Sequence, residues 1–168
     1  MSDPTVQGGS LANLNGHTFE NVMIPLFKAH GFKVIQNYQL IHNAKIIKNV
    51  NRYVIRNAPF VTIYNQKGKT EFVIHDEIKK RAIRVENKWQ QSAGSVDEKY
   101  PYMLLNGIYQ YPENEVIFVV DGGGYKPGAR LWLQNAITND WLNFKEEEHK
   151  DIKLMTISEF ITWFNSEF

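Results

Sequence analysis

The apolar residues Phe19, Val22, Met23, Leu26 and Phe27 fall three and four positions apart and are followed by Gly31. That spacing predicts an amphipathic first helix, bent at Pro25 and ended by the glycine. From Phe32 to Tyr64 the chain is rich in Val, Ile, Tyr and Phe but interrupted by Asn and Lys. It predicts strands near 32–36 and 59–65 and leaves 43–57 open between helix and strand. Thr70 to Gln91 then reads as a hairpin, two β-rich runs flanking the charged tip Glu77-Ile-Lys-Lys80, with Gln66-Lys67-Gly68-Lys69 as the turn leading in. Ser92-Ala93-Gly94 breaks the second run, and Ser95 with Glu98 three residues later matches a capping box for a helix over about 96–110. Glu115 to Val120 is a near-continuous apolar run, the pattern of a strand buried on both faces. Asp121-Gly-Gly-Gly124 ends it, and Ala129, Trp132, Leu133, Ala136 and Ile137 repeat at helical spacing. A charged loop over 145–150, a short strand at 152–155 and a terminal helix capped by the Ser158 hydroxyl complete the chain. The predicted fold is α/β, a mixed β-sheet flanked by helices in the order αβββαβ, with a C-terminal helix.

The hairpin carries the most chemistry. Its second run ends Glu86-Asn-Lys88, and period-2 alternation puts that carboxylate and ammonium on one face. If the turn is centred between Ile78 and Lys79, Glu71 lies opposite Glu86. Directly opposed residues have Cβ atoms about 4.5–5.5 Å apart, where like charges repel and a divalent cation would relieve the repulsion. Asp76 falls opposite Arg81 at the tip, roughly 16 Å from Glu86, too far to share the ion. Gln90 continues the face of Lys88. Glu20, at the edge of the first helix's apolar stripe, reads either as a carboxylate reaching the metal or as a first-turn acid favoured by the helix dipole. Alone, Glu-x-Lys in a strand is an ordinary surface ion pair. The added weight comes from the opposed acid, the following Gln and the acid-bearing helix upstream.

Length and composition change this picture modestly. With 168 residues, 43% hydrophobic and 13% aromatic, the chain suits one globular domain over 16–168, after a Gly-, Ser- and Asn-rich lead-in at 1–15 expected to be flexible. No apolar run approaches membrane-spanning length and the first residues do not resemble a secretory signal, so the expectation is a soluble, cytoplasmic protein. The absence of cysteine excludes disulfides and thiolate ligands, leaving oxygen or imidazole donors and favouring hard cations such as magnesium. A formal charge of +1 neither supports nor excludes nucleic acid. Lys28 to Arg56, however, holds six basic residues and no acid, and reads equally as a phosphate-tracking stretch or a solvated face.

The runs Gly8-Gly-Ser-Leu-Ala-Asn-Leu-Asn-Gly-His-Thr-Phe-Glu20, Thr70-Glu71-Phe-Val and Arg84-Val-Glu86-Asn-Lys88-Trp-Gln90 resemble successive elements of the restriction-endonuclease-like PD-(D/E)XK nucleases, over approximately residues 8–138. The blocks 94–102 and 121–128 look like those of compact phage or restriction-type members. The resemblance implies a magnesium-dependent endodeoxyribonuclease, with manganese able to substitute. Glu71 and Glu86 would be metal ligands, Lys88 would orient or stabilise the nucleophile, and Glu20 and Gln90 would assist. Lys99, Lys126 and Arg130 would contact DNA, and a homodimer would be needed to cut both strands of a duplex. The first acid of the family is usually Asp, often after Pro; here it is Glu71 after Thr70, with Asp76 in reserve. That departure supports an alternative, a catalytically impaired DNA-binding or protein-interaction module on the same fold.

Two other readings are weaker. Asp121 and its glycines lack the Gly-x-Gly-x-x-Gly or Gly-Lys-Ser/Thr pattern of nucleotide loops and read better as a close-packed turn. The five histidines show no metal-ligand spacing, and the four tryptophans read as packing residues.

Overall fold

The computed structural model describes residues 19–89 and 97–168. The lead-in at 1–15, Gln90, the break at 92–94 and the Ser95 cap lie outside them. Helix α1 spans 19–29 and runs through Pro25. It buries Phe19, Met23 and Phe27 completely. Its end is closed at Gly31, φ 79°, where the N–H groups of Gly31 and Phe32 reach back to the carbonyls of Lys28 and Phe27 at 3.0 Å each.

Among the described residues six strands follow, β1 (Lys33–Gln36), β2 (Arg52–Val61), β3 (Lys67–Asp76), β4 (Arg81–Trp89), β5 (Glu115–Asp121) and β6 (Asp151–Met155), forming one sheet in that order. The central pairs β2–β3 and β3–β4 are antiparallel, while β1–β2, β4–β5 and β5–β6 are parallel. The sheet is therefore mixed, as the sequence predicts. Helices α3 (Lys99–Tyr109) and α4 (Pro127–Thr138) cover one face, where Val116, Phe118 and Val120 join Met103, Leu104, Ile108 and Leu133 in one apolar cluster. On the other face α1 and α6 (Ile157–Glu167) pack Phe19, Phe27, Phe160 and Phe164 against Phe72, Val85 and Val119. The alternation along β5 explains its unbroken apolar run, since neighbouring residues feed opposite cores.

Several boundaries differ from expectation. The second strand is Arg52–Val61 rather than 59–65, so the open segment 43–57 holds a 3-10 turn, Ala44–Ile47, and the first part of that strand, while α2 (Asn37–His42) precedes it unpredicted. Pro59 is tolerated in β2 because β1 pairs only with Tyr53 to Arg56, leaving that side of the proline unpaired. Helix α3 begins at Lys99 with Glu98 as its N-cap residue, which makes no side-chain cap bond, so Glu98 does not hold the capping-box position. The charged loop contains a short helix, α5 (Phe144–Glu147). The terminal helix is capped by Thr156 in a capping box with Glu159, not by Ser158.

Gly107 on α3 faces the ring of Phe118, and an added Cβ would sit 2.6 Å from Phe118 Cζ. Both residues are buried, so the ring has nowhere to retreat. Gly107→Ala is expected to destabilise the fold by about 1–3 kcal/mol, net of the helix propensity gained, as read by urea denaturation.

Candidate active site

The β3–β4 hairpin has the register expected from its sequence, from Asp76↔Arg81 at the tip to Phe72↔Val85. There the ladder stops, one pair short of Glu71 and Glu86. The Glu71 carboxylate instead accepts the backbone N–H of Asn87 at 2.8 Å. On the other side of β3, Asn57 stands opposite Glu71, unpaired between Arg56↔Phe72 and Ala58↔Thr70, with φ 52°. Both neighbours of β3 thus part from regular pairing at the same acid. The position lies toward the end of the sheet where β4, β5 and β6 finish, the end at which α/β sheets open a crevice.

Glu86 and Lys88 pair across β4–β5 with Phe118 and Val120, residues of the α3–α4 core, so their side chains point to that face. Asn87 between them pairs with Val119 of the opposite core. Lys88 Nζ lies 2.5 Å from Glu86 Oε1. The other oxygen of Glu86 accepts a hydrogen bond from the Tyr111 hydroxyl. Tyr111 follows α3 and is itself held: its carbonyl accepts Lys150 Nζ at 2.5 Å, and Lys150 also binds the carbonyl of Glu113 at 2.8 Å. Arg84, one pleat before Glu86, is buried in a two-pronged pair with Glu113 at 2.5 and 3.1 Å and donates to Thr70 Oγ1 at 3.0 Å. Sequence reasoning missed Tyr111, which sits 25 residues from Glu86 in a loop that no local pattern marks.

Burial, with the Glu86 charge adding to it, pushes the Glu71 carboxyl above the ordinary carboxylate value against the pull of Lys88. Burial also works to lower Lys88, but Glu86 and then Glu71 outweigh it and hold the ammonium above its ordinary value. Lys88 is therefore charged at neutral pH and can act as a cation, not as a base. Two carboxylates face one ammonium, which leaves one negative charge unbalanced in a confined site.

The donors are all oxygen, which suits a hard cation, and the deficit of positive charge gives a second carboxylate reason to bind one. Among the described residues no group of three or more His, Asp or Glu converges as a ready-made cage. Two carboxylates supplemented by water and substrate phosphate is the pattern by which magnesium is commonly held. On that test Glu71 and Glu86 fit a divalent metal.

Glu20 accepts Arg56 Nη2 at 2.6 Å. Arg56 pairs with Phe72 of the α1–α6 core, so the Glu20 ion pair lies on the face of the sheet opposite that of Glu86 and Lys88. Asp76 is buried at the hairpin tip, with Oδ2 3.1 Å from Arg52 and Oδ1 accepting the N–H groups of Ile78 and Lys79. Lys99 is exposed in the first turn of α3. Lys126 is exposed at the N-cap of α4, its N–H on Asp97 Oδ1 at 3.1 Å, and Arg130 is half-buried in the first turn. Asp121 closes a turn, accepting the Gly122 N–H at 2.7 Å, and its other oxygen accepts the Ile157 N–H of α6 at 2.9 Å. A family model described as PD-(D/E)XK nuclease superfamily domain matches residues 11–168. Comparison with curated proteins and with solved structures finds no match.

The raised Glu71 carboxyl ties the stability of the fold to pH. Ionising this carboxyl costs more in the fold than in the unfolded chain, so stability falls as pH rises from the ordinary carboxylate range through the raised folded value and stays lower beyond it. Glu71→Gln keeps an acceptor for Asn87 and removes the charge. In EDTA at pH 8 it is expected to be more stable than wild type by roughly 0.5–2 kcal/mol, with the gap closing toward pH 4, as read by urea denaturation across pH.

Proposed function

The chain belongs to the PD-(D/E)XK nuclease superfamily, and on that footing we propose that it is a divalent-metal-dependent endodeoxyribonuclease in which Glu71 and Glu86 hold the metal and Lys88 stands beside the nucleophile. The observation that carries this reading is the trio at the end of the β3–β4 ladder, where Lys88 lies 2.5 Å from Glu86 and the Glu71 carboxylate accepts the N–H of Asn87 between them at 2.8 Å. Magnesium, or manganese in its place, would lower the pKa of a bound water and offset charge on the scissile phosphodiester.

The chain's own groups do the rest. Tyr111 and Lys88 fix the two oxygens of Glu86, so that the carboxylate is oriented before any substrate arrives. The Lys88 ammonium, kept charged by its acidic neighbours, orients the attacking oxygen and stabilises charge that develops on the phosphate. Glu20 and Gln90 assist, and Lys99, Lys126 and Arg130 hold backbone phosphates. One such site cuts one strand, so cleavage of a duplex at one place calls for a homodimer. The setting is cytoplasmic, in restriction, phage DNA processing or junction resolution.

A second reading is a module that binds DNA or a protein partner without hydrolysis. It is favoured by Glu71 standing where the family usually has Asp, and by a Glu86 whose oxygens already have partners in Lys88 and Tyr111.

Supercoiled plasmid, branched DNA and single strands incubated with magnesium or manganese separate the two. Wild-type protein is expected to cut at least one of them and to stop in EDTA. Glu86→Ala and Lys88→Ala should each lower the rate by about 100-fold or more. Equal cutting by wild type and both variants contradicts the assignment, and DNA that shifts in a gel but is never cut favours the binding module.

A further inference from the structure

The β2–β3 hairpin runs past the catalytic pair. Its turn, residues 62–66, is closed by Thr62 N–H to the Gln66 carbonyl and Asn65 N–H to the Thr62 carbonyl, both at 2.8 Å. Lys67 stands four positions before Glu71, so the turn begins about 13 Å beyond the acids, on the side where β4 ends at Lys88 and Trp89. Tyr64 on this turn is 68% exposed, and its ring stacks on Tyr102 of α3 with centroids 5.2 Å apart and planes at 27°. One face of Tyr64 thus rests on Tyr102 while most of the side chain remains in solvent. An exposed aromatic ring on a hairpin tip contributes nothing to either core.

The tip is also rigidly mounted. Asn106, buried inside α3, accepts the Ile63 N–H at 2.9 Å and anchors its own amide on the Tyr102 carbonyl at 2.9 Å, linking hairpin and helix through one side chain. Gly68 packs so closely beneath the turn that an added Cβ would meet Phe60 Cζ at 2.7 Å and Thr62 Cγ2 at 2.9 Å. Lys67 and Lys69 follow the turn on the same hairpin, both exposed and neither in an ion pair among the described residues. Lys99, three residues before Tyr102, is exposed as well. The nearest acids of α3's start are Asp97, which accepts the Lys126 N–H, and Glu98, exposed beside Lys99.

A fixed aromatic face on an element that also carries exposed, unpaired lysines has the chemistry of a single-strand platform, in which a base stacks on the ring and phosphates meet the cations. Stacking requires an accessible base face, which a continuous duplex does not present along its side. We propose that Tyr64, backed by Tyr102 on a hairpin that also carries Lys67 and Lys69, binds an unpaired nucleotide of the nucleic acid next to the scissile site. The substrate class it selects is DNA with a single-stranded portion: a flap, a branch or an end. This rests on the nuclease reading and narrows it.

The test is fluorescence anisotropy with a fluorescein-labelled single-stranded oligodeoxynucleotide and the blunt duplex of the same sequence, in magnesium and in a Glu86→Gln background that prevents cutting. Adding Tyr64→Ala is expected to weaken single-strand binding by about 5- to 150-fold while changing duplex binding little. Tyr64→Phe should retain binding. Tyr64→Leu, which keeps an apolar contact with Tyr102, should fold as stably as the parent yet bind the single strand as weakly as the alanine variant. Lys67→Gln and Lys69→Gln should each reduce the salt slope of single-strand binding by about 0.7. Unchanged single-strand affinity in Tyr64→Ala, or equal losses on single strand and duplex, overturns the assignment. If wild type cuts DNA and Tyr64→Ala binds as the parent does, this inference alone falls; if no DNA is bound or cut at all, the nuclease reading falls with it.

Discussion

A carboxylate takes the place of a backbone carbonyl where β3 and β4 separate. The Glu71 side chain accepts the Asn87 N–H just beyond the last regular pair, Phe72↔Val85. A buried N–H without a partner would be costly, so the strands can part at this point only because the side chain supplies an acceptor. The substitution brings a negative charge into the sheet beside Glu86, and Lys88 answers part of it. The remaining positive charge must come from a proton or a cation, and burial and the Glu86 charge push the Glu71 carboxyl in the direction of the first. Local backbone geometry and site electrostatics are thus one problem with one solution.

The layers around the hairpin follow from this arrangement. Alternation on β4 sends Glu86 and Lys88 toward α3 and sends Val85 and Asn87 toward α1 and α6. The α3 face must therefore accommodate charge within an apolar core. It does so with polar anchors: Tyr111 on Glu86, Glu113 on Arg84, and Lys150 on the carbonyls of the loop that carries them. Removing one member of such a network leaves the others buried without partners, which makes this loop a support of the site and not merely a connection. At the far end of the hairpin the charges do structural work instead. Asp76 closes the turn and pairs with Arg52, while Arg81 meets Glu115 and Glu167 at 2.5 Å each and fastens α6 to the sheet.

How much of this was legible in the sequence depended on whether the signal was local. The hairpin register needed only the symmetry of the turn about Ile78 and Lys79, and it holds from tip to Phe72↔Val85. The run 115–120 identified the central parallel strand because both of its faces are apolar. Strand β2 was misplaced because Asn57 in the left-handed region and Pro59 interrupt the alternation that marks a strand. Helix α2 went unseen because it buries no residue and so has no apolar stripe. In the site, the acids and the lysine could be grouped by spacing, whereas the partners of Glu86 and Glu20 are Tyr111 and Arg56, which only folding brings near.

The claim on which the account rests is that Glu71 and Glu86 form a site short of one positive charge, which a divalent cation fills. Thermal unfolding of the wild-type protein, with magnesium or manganese titrated from zero, measures this without any substrate. A cation that binds only the folded state should stabilise it progressively, by about 2.7 kcal/mol at 100 times its Kd. The account predicts that this rise is present in wild type and absent in both Glu71→Gln and Glu86→Gln. A wild-type transition that ignores the cation, or variants stabilised as much as wild type, would contradict it.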